Sequence, residues 1–353
     1  MDYGVAVATT TQSWKVVKRA EELGFSHAWF YDTQLLNPDV FMGMTMAAMH
    51  TDRIRLGTGV LIPSNRIEPV TANALATLNK LAPGRVDFGV GTGFTGRRTM
   101  GLKAIPLRRM QTYIERVQRL LLGETVEWDF EGEQRQIGFL NPDYGLINVA
   151  DPIDLHISAM GPKARRLVAE MNAGWLNFGA DEASALADLQ DFHCAWQTAG
   201  NSQTPYATLF SLGCVLAEGE AIDSDRAVAQ AGPYVSVFFH NLVEVTRPGS
   251  MELALGEELS QRLERYRRDV YDQYPTSGRY LHNHRGHLIR VRPEERALIS
   301  ADLIEAMTFT GTRSALRDRL RNLQQAGYSQ FAIQIVEGQE AALEDWAEVF
   351  ESL

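Results

Sequence analysis

Short apolar runs alternate along this chain with longer segments whose apolar residues recur at steps of three and four. Eight runs read as strands: Tyr3 to Ala8, Ala28 to Tyr31 ending at Asp32, Ile54 to Val60, Val86 to Gly91, Ile153 to Ala159, Trp175 to Phe178, Ala207 to Leu216 and Phe331 to Val336. Between them, helical spacing predicts helices at Val40 to His50, Pro69 to Leu81, Leu107 to Leu121, Arg313 to Ala326 and Ala341 to Phe350. The Leu107 helix shows the rule well, because Leu107, Met110, Ile114, Val117 and Leu121 form one stripe. Strands and helices in alternation call for a parallel sheet covered by helices, and eight such strands predict a closed (β/α)8 TIM barrel with insertions.

Two segments break the rhythm. Residues 124–150 read as an excursion, and residues 232–305 as a long insertion before the last strand, where lids over barrel mouths are often found. No low-complexity tract or linker divides the chain, so residues 1–353 read as one domain carrying that insertion.

Charge and cysteine content narrow the classes. A formal charge of −10 argues against a chain built to neutralise phosphate backbones. The Arg-rich stretch Arg262 to Arg268 interleaves with Glu264 and reads as a solvated helix face. Cys194 and Cys214 are too few for a disulfide framework or a zinc knuckle. The first residues carry no basic leader, and no run of about eighteen apolar residues suggests a membrane span, so the expectation is a cytoplasmic protein binding neither membrane nor nucleic acid.

Residues 91–96, GTGFTG, spell the dinucleotide pattern G-x-G-x-x-G. That pattern signals a Rossmann site when it closes the first strand, opens a helix directly and precedes an acidic strand end by about twenty residues. Here it ends the fourth run, the next clear helix begins near Leu107, and Glu115 falls inside that helix. Its company suggests another use. Gly57-Thr58-Gly59 also ends a strand, and Ala159 to Lys163 ends another and runs into a helix. Bare strand ends at one rim of a barrel offer main chain on which a flat ring can lie and N–H groups that can meet a phosphate.

At these positions the chain resembles the luciferase-like flavin- and deazaflavin-dependent oxidoreductases. The resembling segments are Ala20 to Phe25 with Ala28-Trp29, Leu56 to Val60, Leu75 to Leu78 with Gly84 to Val86, and Gly89 to Gly93. Ala159 to Lys163 with Asn172 to Trp175, and Thr310 to Thr312 with Leu323, Ala326 and Gly327, add to it. The resemblance covers residues 1–180 and 308–336 and hardly touches 232–305.

It implies a flavin-dependent oxidoreductase, foremost a monooxygenase using reduced FMN on a small organic substrate, supplied by a separate flavin reductase and working as a homodimer. The alternative is a hydride-transfer enzyme using the deazaflavin F420. It also implies a non-proline cis peptide at Gly59-Val60 against the ring, a ring contact at Thr92 and Gly93, and a phosphate seat at Met160, Gly161, Pro162 and Lys163. Asp32 matches the Asp that ends the second strand in the deazaflavin branch, whereas Thr33 and Phe94 stand where that branch often carries a His and an acid. These departures lean the reading toward FMN.

His282, His284 and His287 are the candidates for acid–base work on the substrate, because imidazole titrates near neutrality and the segment belongs to the expected lid. Three nearby His are also compatible with a metal, but no carboxylate cluster adjoins them in sequence, and the reading assigns none. A barrel metallohydrolase lacks the early HxH it would be expected to carry near the first strand; a non-catalytic flavin-binding protein is the remaining rival.

Overall fold

The structure is a computed structural model that describes residues 1–179, 181–246 and 256–351. Eight parallel strands close into a barrel: β1 (Asp2–Val7), β2 (His27–Phe30), β3 (Arg55–Thr58), β4 (Val86–Val90), β5 (Asp154–Ser158), β6 (Gly174–Phe178), β7 (Ala207–Ser211) and β8 (Gln330–Ile335). Neighbours follow chain order, and β8 returns to pair with β1, with Val5 opposite Ile333 on one side and Ala28 on the other.

Strand alternation sorts the side chains. Val5, Val7, Ala28 and Phe30 face outward into the main core shared with the helices, whereas Ala6, Trp29, Leu176, Phe210 and Ala332 fill the barrel interior. Trp29 is the largest of these plugs, and its Nε1 donates to Gln330 Oε1 at 2.8 Å. Gly57 is bare for that reason: a Cβ there would sit 2.4 Å from the Trp29 ring. The helices Val40–Ala48, Glu68–Leu81, Leu107–Leu121, Pro162–Glu170, Glu182–Thr198, Arg313–Ala326 and Ala342–Phe350 surround the sheet.

Three boundaries differ from the pattern. The run predicted from Ala207 to Leu216 splits, because the chain leaves the barrel after Ser211, and Gly213 passes Phe309 so closely that a Cβ would meet its carbonyl oxygen at 1.9 Å. Val215–Leu216 then pairs with Gly311–Thr312 in a separate two-stranded ladder. The excursion at 124–150 contains an antiparallel hairpin, Val126–Phe130 with Glu133–Ile137. The described part of the insertion is mostly helical, with a turn-rich stretch at 284–295, and its first helix, Asp225–Val245, runs through residue 232 with Pro233 inside it. That helix, with Glu257–Asp269 and Ala301–Met307, builds a second apolar core around Val235, Phe239, Tyr266 and Ile304.

A charged cluster links the starts of three strands. Arg55 Nε donates to Asp87 Oδ2 at 3.0 Å and its terminal nitrogen to Asp154 at 2.9 Å, while His156 Nε2 lies 3.7 Å from Asp87. Burial alone would raise the Asp87 carboxyl; His156 and Arg55 outweigh it and hold the group down to about 2. A depressed carboxyl contributes stability above its unfolded pKa, and that contribution is lost as pH falls from about 4 toward 2. Replacing Asp87→Asn is expected to cost about 2–3 kcal/mol at neutral pH and to flatten the acid limb of the stability curve. Urea denaturation at several pH values reads both, and an unchanged acid limb would refute this role.

Candidate active site

The carboxyl ends of β2, β3 and β4 are tied together by one polar network. Asp32, just beyond β2, is buried and accepts from the main-chain N–H of Ile62 at 3.2 Å, from Asn65 Nδ2 at 3.2 Å and from Arg66 NH1 at 2.9 and 3.0 Å. Arg66 reaches on to Asp39, whose carboxylate caps the Val40–Ala48 helix through the N–H groups of Phe41 and Met42. Asn65 also donates to Gln34, and Gln34 to the Gly96 carbonyl after β4. The chain between β3 and Arg66 is thus fixed from both sides.

That fixed stretch carries the cis peptide Gly59-Val60. Leu61 then bonds to β4 in strand fashion, its N–H donating to Gly89 O at 2.8 Å and its carbonyl accepting from Gly91 N at 3.1 Å. Glycine is required opposite it, since a Cβ on Gly89 would lie 1.9 Å from Thr58 O and one on Gly91 2.6 Å from Val60. Gly93 has a φ of 78° and opens the short helix Phe94–Arg98, which the apolar pattern does not reveal. The G-x-G-x-x-G letters therefore seat one loop against a strand. Gly57, Gly89 and Gly91 direct their missing Cβ atoms at protein, while Val60, Thr92, Ser158 and Phe178 nearby are half-buried.

Gly161 is different, because nothing lies within 4 Å of where its Cβ would stand. It precedes Pro162 and Lys163 at the exposed start of the Pro162–Glu170 helix, while Met160 is 60% exposed. Behind this start the buried Arg165 donates to the Met160 carbonyl at 3.1 Å and is neutralised by Asp188 and Asp191. An open helix start beside a bare residue can hold a phosphate through main-chain N–H groups.

The insertion covers the mouth. Leu288 and Ile289, like Val60 and Phe178, pack against the interior cluster that includes Tyr31 and Phe210, and the Leu288 carbonyl accepts from Gln334 Nε2 at 2.6 Å. Gln334 in turn accepts from the Tyr31 hydroxyl at 3.0 Å, and burial pushes that phenol upward, so it remains a neutral donor.

The matching family model, described as luciferase-like monooxygenase, aligns with residues 8–330. The chain belongs to the luciferase-like monooxygenase family. Within it, the chain is 26% identical over 320 residues to a 5,10-methylenetetrahydromethanopterin reductase of Archaeoglobus fulgidus, covering 89% of this chain and 86% of that one. It is 27% identical over 236 residues to a limonene 1,2-monooxygenase of Rhodococcus erythropolis, covering 63% and 58%. The fold matches the F420-dependent tetrahydromethanopterin reductase of Methanopyrus kandleri with a TM-score of 0.71, at 19% identity over 99% of this chain and 98% of that one. Membership of the family makes the chain an oxidoreductase with a flavin-type cofactor, flavin or deazaflavin. No helix among the described residues is long and apolar enough to cross a membrane.

The structure brings Gly59, Val60, Thr92 and Gly93 to one side of the mouth, with Met160, Gly161, Pro162 and Lys163 at the start of the helix that follows β5. Asp32 lies behind the loop that carries Val60, its oxygens occupied by Ile62, Asn65 and Arg66. His284 and His287 are buried together in the insertion, but His282 is exposed and stacks on Tyr274. In its place His240 joins them from the Asp225–Val245 helix. Arg66, Gln34 and Gln334 escaped the sequence reading because no spacing rule links them to Asp32 or Leu288. His240 had a signal in the helical pair His240 and Glu244, four residues apart.

Replacing Arg66→Met leaves the buried Asp32 with Asn65 and one N–H only. It is expected to cost about 3 kcal/mol in stability and to weaken flavin binding together with it. Urea denaturation and fluorescence titration measure the two, and a cost under about 0.5 kcal/mol would show that the pair does not hold the loop.

Proposed function

We propose that this protein is a reduced-FMN-dependent monooxygenase acting on a small, largely apolar organic substrate, served by a separate flavin reductase. One observation carries the preference: the acid that ends β2, Asp32, is consumed by Ile62, Asn65 and Arg66, while Thr33 and Phe94 provide no other acid or imidazole at their positions. Hydride transfer to or from a carbonyl needs a proton donor or acceptor beside the ring. Oxygen transfer from a reduced flavin depends more on a dry, apolar mouth.

The reduced ring would supply the electrons that activate oxygen. The chain's own contributions are mechanical and electrostatic. Val60 and the loop fixed by Asp32 form the bed, and the main chain at 160–163 anchors the phosphate. Leu288 and Ile289 exclude water, and Tyr31 with Gln334 keeps that plug seated. A homodimer belongs to this reading, supported by the Val40–Ala48 helix, which turns Met42 and Met46 outward at 74% and 40% exposure.

A second reading, an F420-dependent reductase, is favoured by one comparison: the relative spanning 89% of this chain is a methylenetetrahydromethanopterin reductase. Fluorescence titration separates them, with Trp29 beneath the mouth as reporter. Reduced FMN is expected to bind at least tenfold more tightly than F420, and a supplied flavin reductase to support substrate-dependent oxygen uptake. Tight binding of F420 with none of reduced FMN would overturn the monooxygenase reading in favour of the reductase.

A further inference from the structure

The insertion gathers three buried imidazoles, His240, His284 and His287, with one ring nitrogen from each within 4.8 Å of the other two. His287 Nδ1 lies 3.3 Å from His240 Nδ1 and 3.5 Å from His284 Nδ1. Two nitrogens bound to one tetrahedral ion at about 2.0–2.1 Å stand about 3.3–3.4 Å apart. We propose that these three Nδ1 atoms form a binding site for a divalent transition ion of the zinc class.

The groups behind the rings agree with this. His240 Nε2 donates to Glu295 at 2.6 Å and His284 Nε2 to Glu244 at 3.1 Å. Both carboxylates are held in turn: Glu295 by Arg292, and Glu244 by Asn283 Nδ2 at 3.0 Å, with Asn283 also bonded to the His240 carbonyl. Proton donation from Nε2 assigns the tautomer in each ring and leaves the Nδ1 lone pair facing the third imidazole. A carboxylate behind a ligating imidazole is the arrangement that orients it and raises its basicity.

Hydrogen bonding alone leaves the cluster unsatisfied. His287 has at most one proton on Nδ1 for the two lone pairs of His240 Nδ1 and His284 Nδ1 that face it. Three protein donors leave a fourth position for water.

The place of the site gives it a use. His240 belongs to the long insertion helix, and His287 immediately precedes Leu288, the residue seated in the barrel mouth through Gln334. A bound ion would clamp the plug to the helix and so help hold the mouth shut. This goes beyond the flavin reading and does not depend on it.

The test uses the full-length protein, stripped with a chelator and free of flavin. Zinc is titrated against a chromogenic competitor, and cobalt substitution reports coordination through its visible absorption bands. One equivalent of zinc is expected, with affinity lost at least about 100-fold in His240→Gln and His287→Gln, and lowered roughly 10–100-fold in Glu295→Gln. His282→Gln serves as the control and is expected to bind as the unaltered chain does. Circular dichroism checks folding; should His240→Gln misfold, His287→Gln carries the comparison. Absence of one-to-one binding in the folded unaltered protein, or binding unchanged in folded His287→Gln, would overturn the proposal.

Discussion

The loop after β3 can lie on β4 only because residue 89 has no side chain. A Cβ there would collide with the Thr58 carbonyl, and the two hydrogen bonds that Leu61 makes to Gly89 and Gly91 would be lost. The cis peptide at Gly59-Val60 is presented to the mouth by this contact on one side and by Asp32 on the other. Everything proposed for the ring depends on that ledge standing still. A planar cofactor gains from preorganised main chain because little ordering remains to be done when it binds.

The insertion completes the site by different physics. The barrel is organised by strand pairing and an apolar interior, whereas the segment over its mouth meets it through side chains, among them Leu288 and Ile289 on the barrel interior, Gln334 on the Leu288 carbonyl and Arg98 on Asn241. The buried carboxylate–imidazole pairs His240–Glu295 and His284–Glu244 tie the elements of this segment to one another. The same rings, with their remaining nitrogens turned inward, give the cover the chemistry of a ligand set.

The barrel was legible in the sequence because strand and helix periods differ, and because a parallel strand buried on both faces leaves an unbroken apolar run such as Ala28 to Phe30. The motif-rich rim was legible through its resemblance to a family, and the cis bond stands where that resemblance implied it. The physical reason for the glycines was not legible. Sequence suggests bare surface for a ligand, whereas Gly57 makes room for Trp29, and Gly89 and Gly91 make room for the neighbouring loop. Unlike these, Gly161 would direct a side chain into open space. The histidine cluster was half legible: His284 and His287 share a short stretch, but His240 lies more than forty residues earlier on another helix, and only folding brings it within 3.3 Å of His287.

The most direct test of the ledge is amide hydrogen exchange at Leu61 and Ile62. Their N–H groups donate to Gly89 O and to Asp32, so exchange is expected to require the same opening as the β3 amide of Leu56, which donates to Arg85 O at 2.7 Å. Protection comparable to Leu56 is the predicted result. Exchange orders of magnitude faster, at the pace of an unpaired surface loop, would mean that the bed for the ring is not preformed and would contradict the account at its base.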